Sequence, residues 1–258
     1  MYLTIAVPFS FMKKIIAVLF VAALSGACNH KVYQADKLTY NGYRITKDAK
    51  QSAAVTSMLK PYSDSVNSTM NGTIGIAAVS LEKKSPEGSL GNFMTDAMLQ
   101  AATNHFKRKV DGAFTNTGGI RLTQIPAGPI TTGKIFELMP FDNLLIIQEM
   151  KGSMLQTFLD HVSGRGGWPV AGITYDIKNK KAVNVLVNGK PIDDNATYTI
   201  ANSDYVANGG DDCVMLKSLP QINDGFLIRD ALIEYVKAQT AAGKTITAKE
   251  EGRVKTIE

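Results

Sequence analysis

Thr115-Asn116-Thr117-Gly118-Gly119-Ile120-Arg121 leaves a short apolar run at 110–114, broken only by Asp111 and Gly112, which reads as the end of a strand. Two adjacent glycines allow positive φ and a close approach of backbone to another body. Asn116 adds an amide that donates and accepts at once, and Arg121 adds a planar fork of five donors suited to anionic or oxygen-rich groups. A polar-ligand loop needs this set of groups. A tight turn could use the same glycines, so the neighbouring segments carry the decision.

Upstream, 73–81 (TIGIAAVSL) reads as a buried strand, and Ser85-Pro86-Glu87-Gly88 reads as a loop. Ser89 is placed as the N-cap of an amphipathic helix whose inward face is Leu90, Phe93, Met94, Ala97, Met98 and Ala101. Before these, 48–70 carries a looser helical pattern with Pro61 expected to break or kink it. Downstream, Ile125-Pro126-Ala127-Gly128-Pro129 is a rigid turn, and 135–139 is a short apolar segment entering Pro140-Phe141-Asp142-Asn143. A strand at 144–150 precedes a helix that starts at Gly152 and turns Met154, Leu155, Phe158, Leu159 and Val162 inward.

The last third reads as strands at 173–177, 183–187 and 198–201, then a helix over 226–237 and a final edge strand at 254–257. No short-period repeat interrupts the pattern. From residue 48 onward the expectation is a single α+β domain of mixed sheets with packed helices.

The bulk numbers are those of an ordinary globular chain: 258 residues, 45% hydrophobic and 20% charged. Net charge is +5, and removing Lys13 and Lys14 with the N-terminal segment leaves +3. The basic residues are scattered among acids, which argues against nucleic acid and against a polybasic membrane face.

Met12-Lys13-Lys14, the apolar run 15–24 and Ser25-Gly26-Ala27-Cys28 have the order of a secretory signal peptide, with Met12 a better start than Met1. The apolar core falls short of the roughly 18 residues needed to cross a bilayer. Small residues just before a cysteine resemble a bacterial lipobox, although Ser25 sits where leucine is usual and Leu24 is one place early. The expected organisation is a signal peptide over 1–27, a lipidated tether from Cys28 to residue 47, and the folded domain over 48–258. The chain would then be exported and held in the cell envelope by its lipid alone. Ordinary signal cleavage, with Cys28 incidental, is the alternative. With Cys28 acylated, Cys213 has no intramolecular partner and is read as a small buried hydrophobe.

Three loops share a character: 116–121, 140–143 and 205–211. Two carry an aromatic beside a carboxylate (Phe141 with Asp142, Tyr205 with Asp211), and the third carries the amide and the guanidinium. Two rings can clamp a flat base, a carboxylate can accept from paired sugar hydroxyls, and an amide can read a base edge. This set of groups suits a nucleoside. As packing alone, Phe141 could be core, Tyr205 could close a strand end, and Gly209-Gly210 could be a simple turn. Asn92 and Asp96 read as helix-start and packing groups.

In order along the chain stand Ser89-Leu90-Gly91-Asn92 with Asp96-Ala97-Met98, Asn116-x-Gly118-Gly119-Ile120-Arg121, Pro140-Phe141 and Ala207-Asn208-Gly209-Gly210-Asp211. With this spacing, residues 45–258 resemble the C-terminal, substrate-recognition domain of the 5′-nucleotidase/UDP-sugar hydrolase family. The resemblance implies that Phe141 and Tyr205 stack on either side of the base and that Asn116 meets it. It implies that Asp211 holds the ribose hydroxyls, with Arg121 on the ribose and phosphate side. Gly118, Gly119 and Gly210 belong to the matching motifs, and Gly172 would line the base slot. The family often has a second arginine shortly before the Leu-Gly-Asn helix, absent from Ser85-Pro86-Glu87-Gly88, and a glycine where Asp212 stands.

The family's chemistry belongs to a separate metallophosphoesterase domain that holds two divalent metals. The three histidines here, His30, His105 and His161, stand in no metal-ligand spacing, and His105 and His161 read as solvated helix-end residues. No catalytic residue and no cofactor or metal is therefore expected in this chain. The expected function is the nucleotide- or nucleoside-recognition half of a phosphohydrolase in nucleotide catabolism, served by a metallophosphoesterase chain that carries the metals. The alternatives are a non-catalytic lipoprotein that captures nucleosides for uptake, and a surface protein that kept the fold and lost the ligand.

Overall fold

The computed structural model describes residues 13–14, 37, 39–46 and 48–258, so Cys28 and nearly all of the expected signal peptide lie outside the described residues. The chain divides into two units, Met1–Ser52 and Ala53–Glu258. In the first, residues 39–46 are exposed and take neither helix nor strand. All elements named below belong to the second.

Helix α1 (Ala53–Met70) buries none of its residues and contains Pro61 without interruption. The expected break at Pro61 does not occur. On an exposed helix, water can satisfy the carbonyl that proline leaves unpaired. Strand β1 (Thr73–Ala77) and the short β2 (Leu81–Glu82) replace the single strand expected over 73–81. Helix α2 (Ser89–His105) has Gly88, not Ser89, at its N-cap. The Ser89 hydroxyl instead accepts from the Glu82 backbone N–H at 2.8 Å and ties β2 to the helix start. Strand β3 (Gly112–Phe114) leads into a 3₁₀ turn at Thr117–Gly119, followed by β4 (Gln124–Ile125) and β5 (Gly128–Thr131).

The segment 135–139 turns out to be the end of a short helix, α3 (Thr132–Leu138), capped by the Thr131 side chain. Strand β6 (Leu145–Lys151), helix α4 (Gly152–Ser163), β7 (Val170–Ala171), β8 (Ile173–Lys178), β9 (Lys181–Val187) and β10 (Lys190–Pro191) follow. The chain then runs through β11 (Thr197–Ser203), the single-turn helix α5 (Asp204–Ala207), helix α6 (Ile228–Ala241) and β12 (Val254–Thr256).

A central four-stranded sheet has the order β6-β11-β3-β7, with β11 parallel to β3 and the other pairs antiparallel. Its alternating side chains enter two separate cores, as the two-residue period of a strand requires. Ala113, Leu145, Ile147, Ala171 and Ala201 join the apolar faces of α2 and α6. Phe114, Met150, Val170 and Ile200 join α4 and a second sheet, β10-β9-β8-β12. There Phe114 stacks on Phe158 of α4, ring centroids 4.1 Å apart. Gln148 is fully buried in β6, where its amide donates to the Leu216 and Leu219 carbonyls and pins the segment beyond α5 to the sheet.

The end of the chain is clamped to the start of α2. The Glu87 carboxylate accepts from the backbone N–H groups of Glu251 and Arg253 at 2.8 and 2.9 Å. Asn92 donates to Glu87 and to the Lys249 carbonyl, and Arg253 grips Asp96 through two bonds of 2.7 and 2.9 Å. Burial opposes the charge of Arg253, but its bonds to Asp96 and Glu251 hold its pKa above the ordinary value. Asn92 and Asp96 thus bind the chain's last segment.

Candidate functional site

Because β11 and β3 run parallel, the loops leaving their carboxyl ends emerge on the same edge of the sheet. The antiparallel partner β6 begins there too, with Leu145 opposite Ser203. Open sheets with such parallel pairs present ligand loops at this edge. Residues 115–121 leave β3, 139–144 enter β6, and 204–212 leave β11, so the topology brings all three loops together.

They enclose a cleft of about 320 Å³, within the range of small-molecule sites. Asn116, Gly118, Gly119 and Arg121 line one side, while Phe141, Asn143, Tyr205 and Asp211 line the rest. Phe141 is 40% exposed and Tyr205 45%, so both rings face solvent and neither is core.

Each group is held by a specific neighbour. Asn116 is buried, and its amide donates to Asp211 Oδ2 at 2.6 Å. The Tyr205 hydroxyl donates to the other carboxylate oxygen at 3.3 Å. Asp211 therefore joins two of the three loops. Neither Gly118 nor Gly119 takes positive φ; what their size allows is the packing of Asn116, since a Cβ on Gly119 would lie 2.8 Å from Asn116 Oδ1. Gly210 plays the matching part under Tyr205, where a Cβ would come within 2.4 Å of Cε1. Arg121 lies over the Phe141 ring, 5.6 Å from its centroid, a cation–π arrangement.

Gly172 is not brought to this cleft. It takes φ +72 at the β7–β8 junction, against the Asp111 carbonyl, and faces a different hollow with Asn188 and Arg253. The backbone crosses there with no room for a side chain.

Four contributors went unassigned in the sequence. Asn143 lines the cleft directly. Arg229 is 9% exposed, stacks over Phe136 at 4.2 Å and donates to the Phe141 carbonyl at 3.4 Å and to Asp142 at 2.8 Å, setting the Phe141 loop on α6. Its signal was visible: residue 229 stands at helical spacing from Leu232 and Val236, a cation on an apolar face. Lys83 donates to the Ile120 carbonyl at 2.8 Å, and burial, then the Arg121 charge, hold its ammonium below the usual lysine value. Among the described residues neither Lys83 nor Arg121 has a carboxylate partner, so this end of the cleft carries uncompensated positive charge.

His161 is the fourth. It is half-buried, and its Nε2 contacts the Asp211 carbonyl at 3.0 Å, so it is no solvated helix-end residue. His105, by contrast, is exposed at the last residue of α2, as expected, where it meets Asp224 at 2.7 Å and stacks on Phe226. Among the described residues no group of three or more His, Cys, Asp or Glu side chains is arranged to hold a metal ion.

Comparison with known proteins identifies the family of the domain. The family described as 5′-nucleotidase, C-terminal domain matches residues 66–218. A trifunctional nucleotide phosphoesterase of Bacillus subtilis is 28% identical over 248 residues, which cover 88% of this chain and 17% of that protein. A cell wall protein of Listeria monocytogenes is 29% identical, over 84% of this chain and 30% of its own. The structure of a 5′-nucleotidase precursor from Thermus thermophilus superposes with a TM-score of 0.69 at 30% identity, covering 80% of this chain and 43% of that one. The chain thus spans less than half the length of each of these relatives.

Proposed function

The chain belongs to the 5′-nucleotidase C-terminal domain family, and from that premise we propose that its cleft recognises the nucleoside part of a nucleotide for a metallophosphoesterase carried on a separate chain. The observation that carries the reading is the meeting of two exposed aromatic rings, an amide, a carboxylate and an uncompensated cation in one cleft of about 320 Å³.

Phe141 and Tyr205 would take the base between them, as stacking between flat rings favours. The Asp211 carboxylate would accept from the two ribose hydroxyls, exchanging its bonds to Asn116 and Tyr205, and the freed Asn116 amide would meet the base edge. Arg121, with Lys83 behind it, faces the phosphate side. An anion there would relieve the repulsion between the two cations. The residues of this chain then bind and orient, and the divalent metals that activate water belong to the partner. Export and a lipid anchor at Cys28 would confine the chain to the cell envelope, in keeping with a relative named as a cell wall protein.

Calorimetry with nucleosides and nucleoside monophosphates tests the reading. Stacking contributes about 1–3 kcal/mol per ring and charge-assisted hydrogen bonds about 1.5–3 each, opposed by several kcal/mol of association cost. The expected dissociation constants are about micromolar to millimolar. No binding at millimolar ligand would leave a protein that kept the fold and lost the ligand.

A further inference from the structure

The loop that carries Asp211 is conformationally unusual. Gly209, Asp211 and Asp212 have φ of 91°, 51° and 59°, so two successive non-glycine residues stand in the left-handed region. Side chains with a Cβ disfavour that region, Asp less than most, and something must hold them there. The holding groups come from the far end of α4 and the turn that follows it. His161 Nε2 lies 3.0 Å from the Asp211 carbonyl. A carbonyl can only accept, so Nε2 carries the proton and the ring tautomer is set by this contact. Four residues on, Arg165 pairs with the Asp212 carboxylate. His161 in the last turn of α4 and Arg165 in the turn just beyond it grip consecutive residues of the same loop.

We infer that His161 is a positioning residue for Asp211, with Arg165 bracing the adjoining residue, so that the end of α4 holds the site carboxylate in the orientation in which it meets Asn116 and Tyr205. The Asp211 carbonyl belongs to the peptide that joins the two left-handed residues. Releasing it lets 211 and 212 relax toward right-handed φ, which turns the Asp211 side chain away from the cleft. Asp212 adds to the demand, because a glycine would take φ +59 freely where aspartate does not. Arg165 is the compensation for that residue. The ligand-binding part of this inference rests on the proposed nucleoside reading; the positioning itself does not.

Two measurements decide it. Amide hydrogen exchange on the free protein should rise at 210–213 in His161→Leu and not at 92–98, and His161→Gln, which keeps an N–H donor at similar reach, should restore protection. In the same series, His161→Leu should weaken adenosine binding about tenfold while 2′,3′-dideoxyadenosine, which has no hydroxyl pair, changes little. Arg165→Ala should raise exchange at 212, and Asp212→Gly should make that substitution silent. Unchanged exchange at 210–213 in His161→Leu overturns the inference, as does a loss equal for both ligands that tracks the melting temperature. If the wild type binds neither ligand, or if Asp211→Asn leaves their ratio unchanged, the nucleoside reading fails and the exchange result alone decides the brace.

Discussion

At the scale of single residues, the chemistry of the cleft was more legible than its bonding. The two aromatics, Asn116, Arg121 and Asp211 stand out by type and loop position, and all five line one cleft. That Asn116 is bonded to Asp211, or that His161 and Arg229 stand behind the loops, depends on packing between segments 50 to 95 residues apart and leaves no local pattern. Phe141→Ala should weaken nucleoside binding by about 1–3 kcal/mol with no change in melting temperature, since the ring is exposed; calorimetry and thermal melting together check this. Lys83→Met should lower the preference for a monophosphate over its nucleoside, and should flatten the decline of that preference with salt between 50 and 500 mM, concentrations over which the Debye length shrinks from about 14 to 4 Å. Cys213 gives a third expectation. Burial, then the Asp211 charge, push its thiol up to about 11 from 9.0. A thiol reagent at neutral pH should therefore react only as the domain unfolds. The folded state disfavours the thiolate, so this contribution to stability is intact below pH 9 and is lost as pH rises toward 11. Reactivity of the native protein at pH 7 would contradict it.

At the scale of elements, the periodic segments were read well and the irregular ones were not. Gly152 begins α4 as expected, and the apolar face of α2 is the buried one. The run 73–81 split because its first part pairs with β5 only as far as Ala77, while Leu81 and Glu82 pair with a different strand, β4. The run 135–139 became the end of α3 because the Thr131 hydroxyl caps the helix start at Lys134 N–H, a contact that outweighs the shortness of the apolar pattern. Charged residues on α2 do structural work that periodicity does not reveal. Asp96 holds Arg253, whose side chain is 12% exposed, through two bonds. Asp96→Ala should cost about 2 kcal/mol, seen as a fall of about 4–8 °C in melting temperature. A melting temperature equal to the wild type would show that water or Glu251 replaces the carboxylate.

At the scale of the whole molecule, the proposed division of labour makes a direct expectation. Purified chain given Mg²⁺, Mn²⁺, Zn²⁺ or Co²⁺ should hydrolyse no nucleotide. A metallophosphoesterase from the same operon should gain nucleotide hydrolysis when this chain is added, and Arg121→Ala or Asp211→Ala should remove the gain. Each of those side chains is worth about 1.5–3 kcal/mol as a charge-assisted contact, or roughly ten- to a hundredfold in kcat/KM. A partner whose kcat/KM is the same with and without this chain would favour nucleoside capture without catalysis. Membrane fractionation with Cys28→Ala should release the protein if the anchor is real. None of this could be read from the fold class alone, because one scaffold serves many sites.

The clamp between the two ends of the domain also sets a timetable. Glu87 and Asp96 meet residues 251 and 253 across sequence separations of 157 to 166, and β12 supplies the outer strand beside β8. Contacts closed over such long loops come late and slow the search for the native state. Until the final residues arrive, Glu87 lacks the N–H groups that satisfy it and the second sheet ends at an open edge. Under the proposed export, the chain would have to remain unfolded while it passes through a channel, and a domain that locks only with β12 would carry that delay in its own topology.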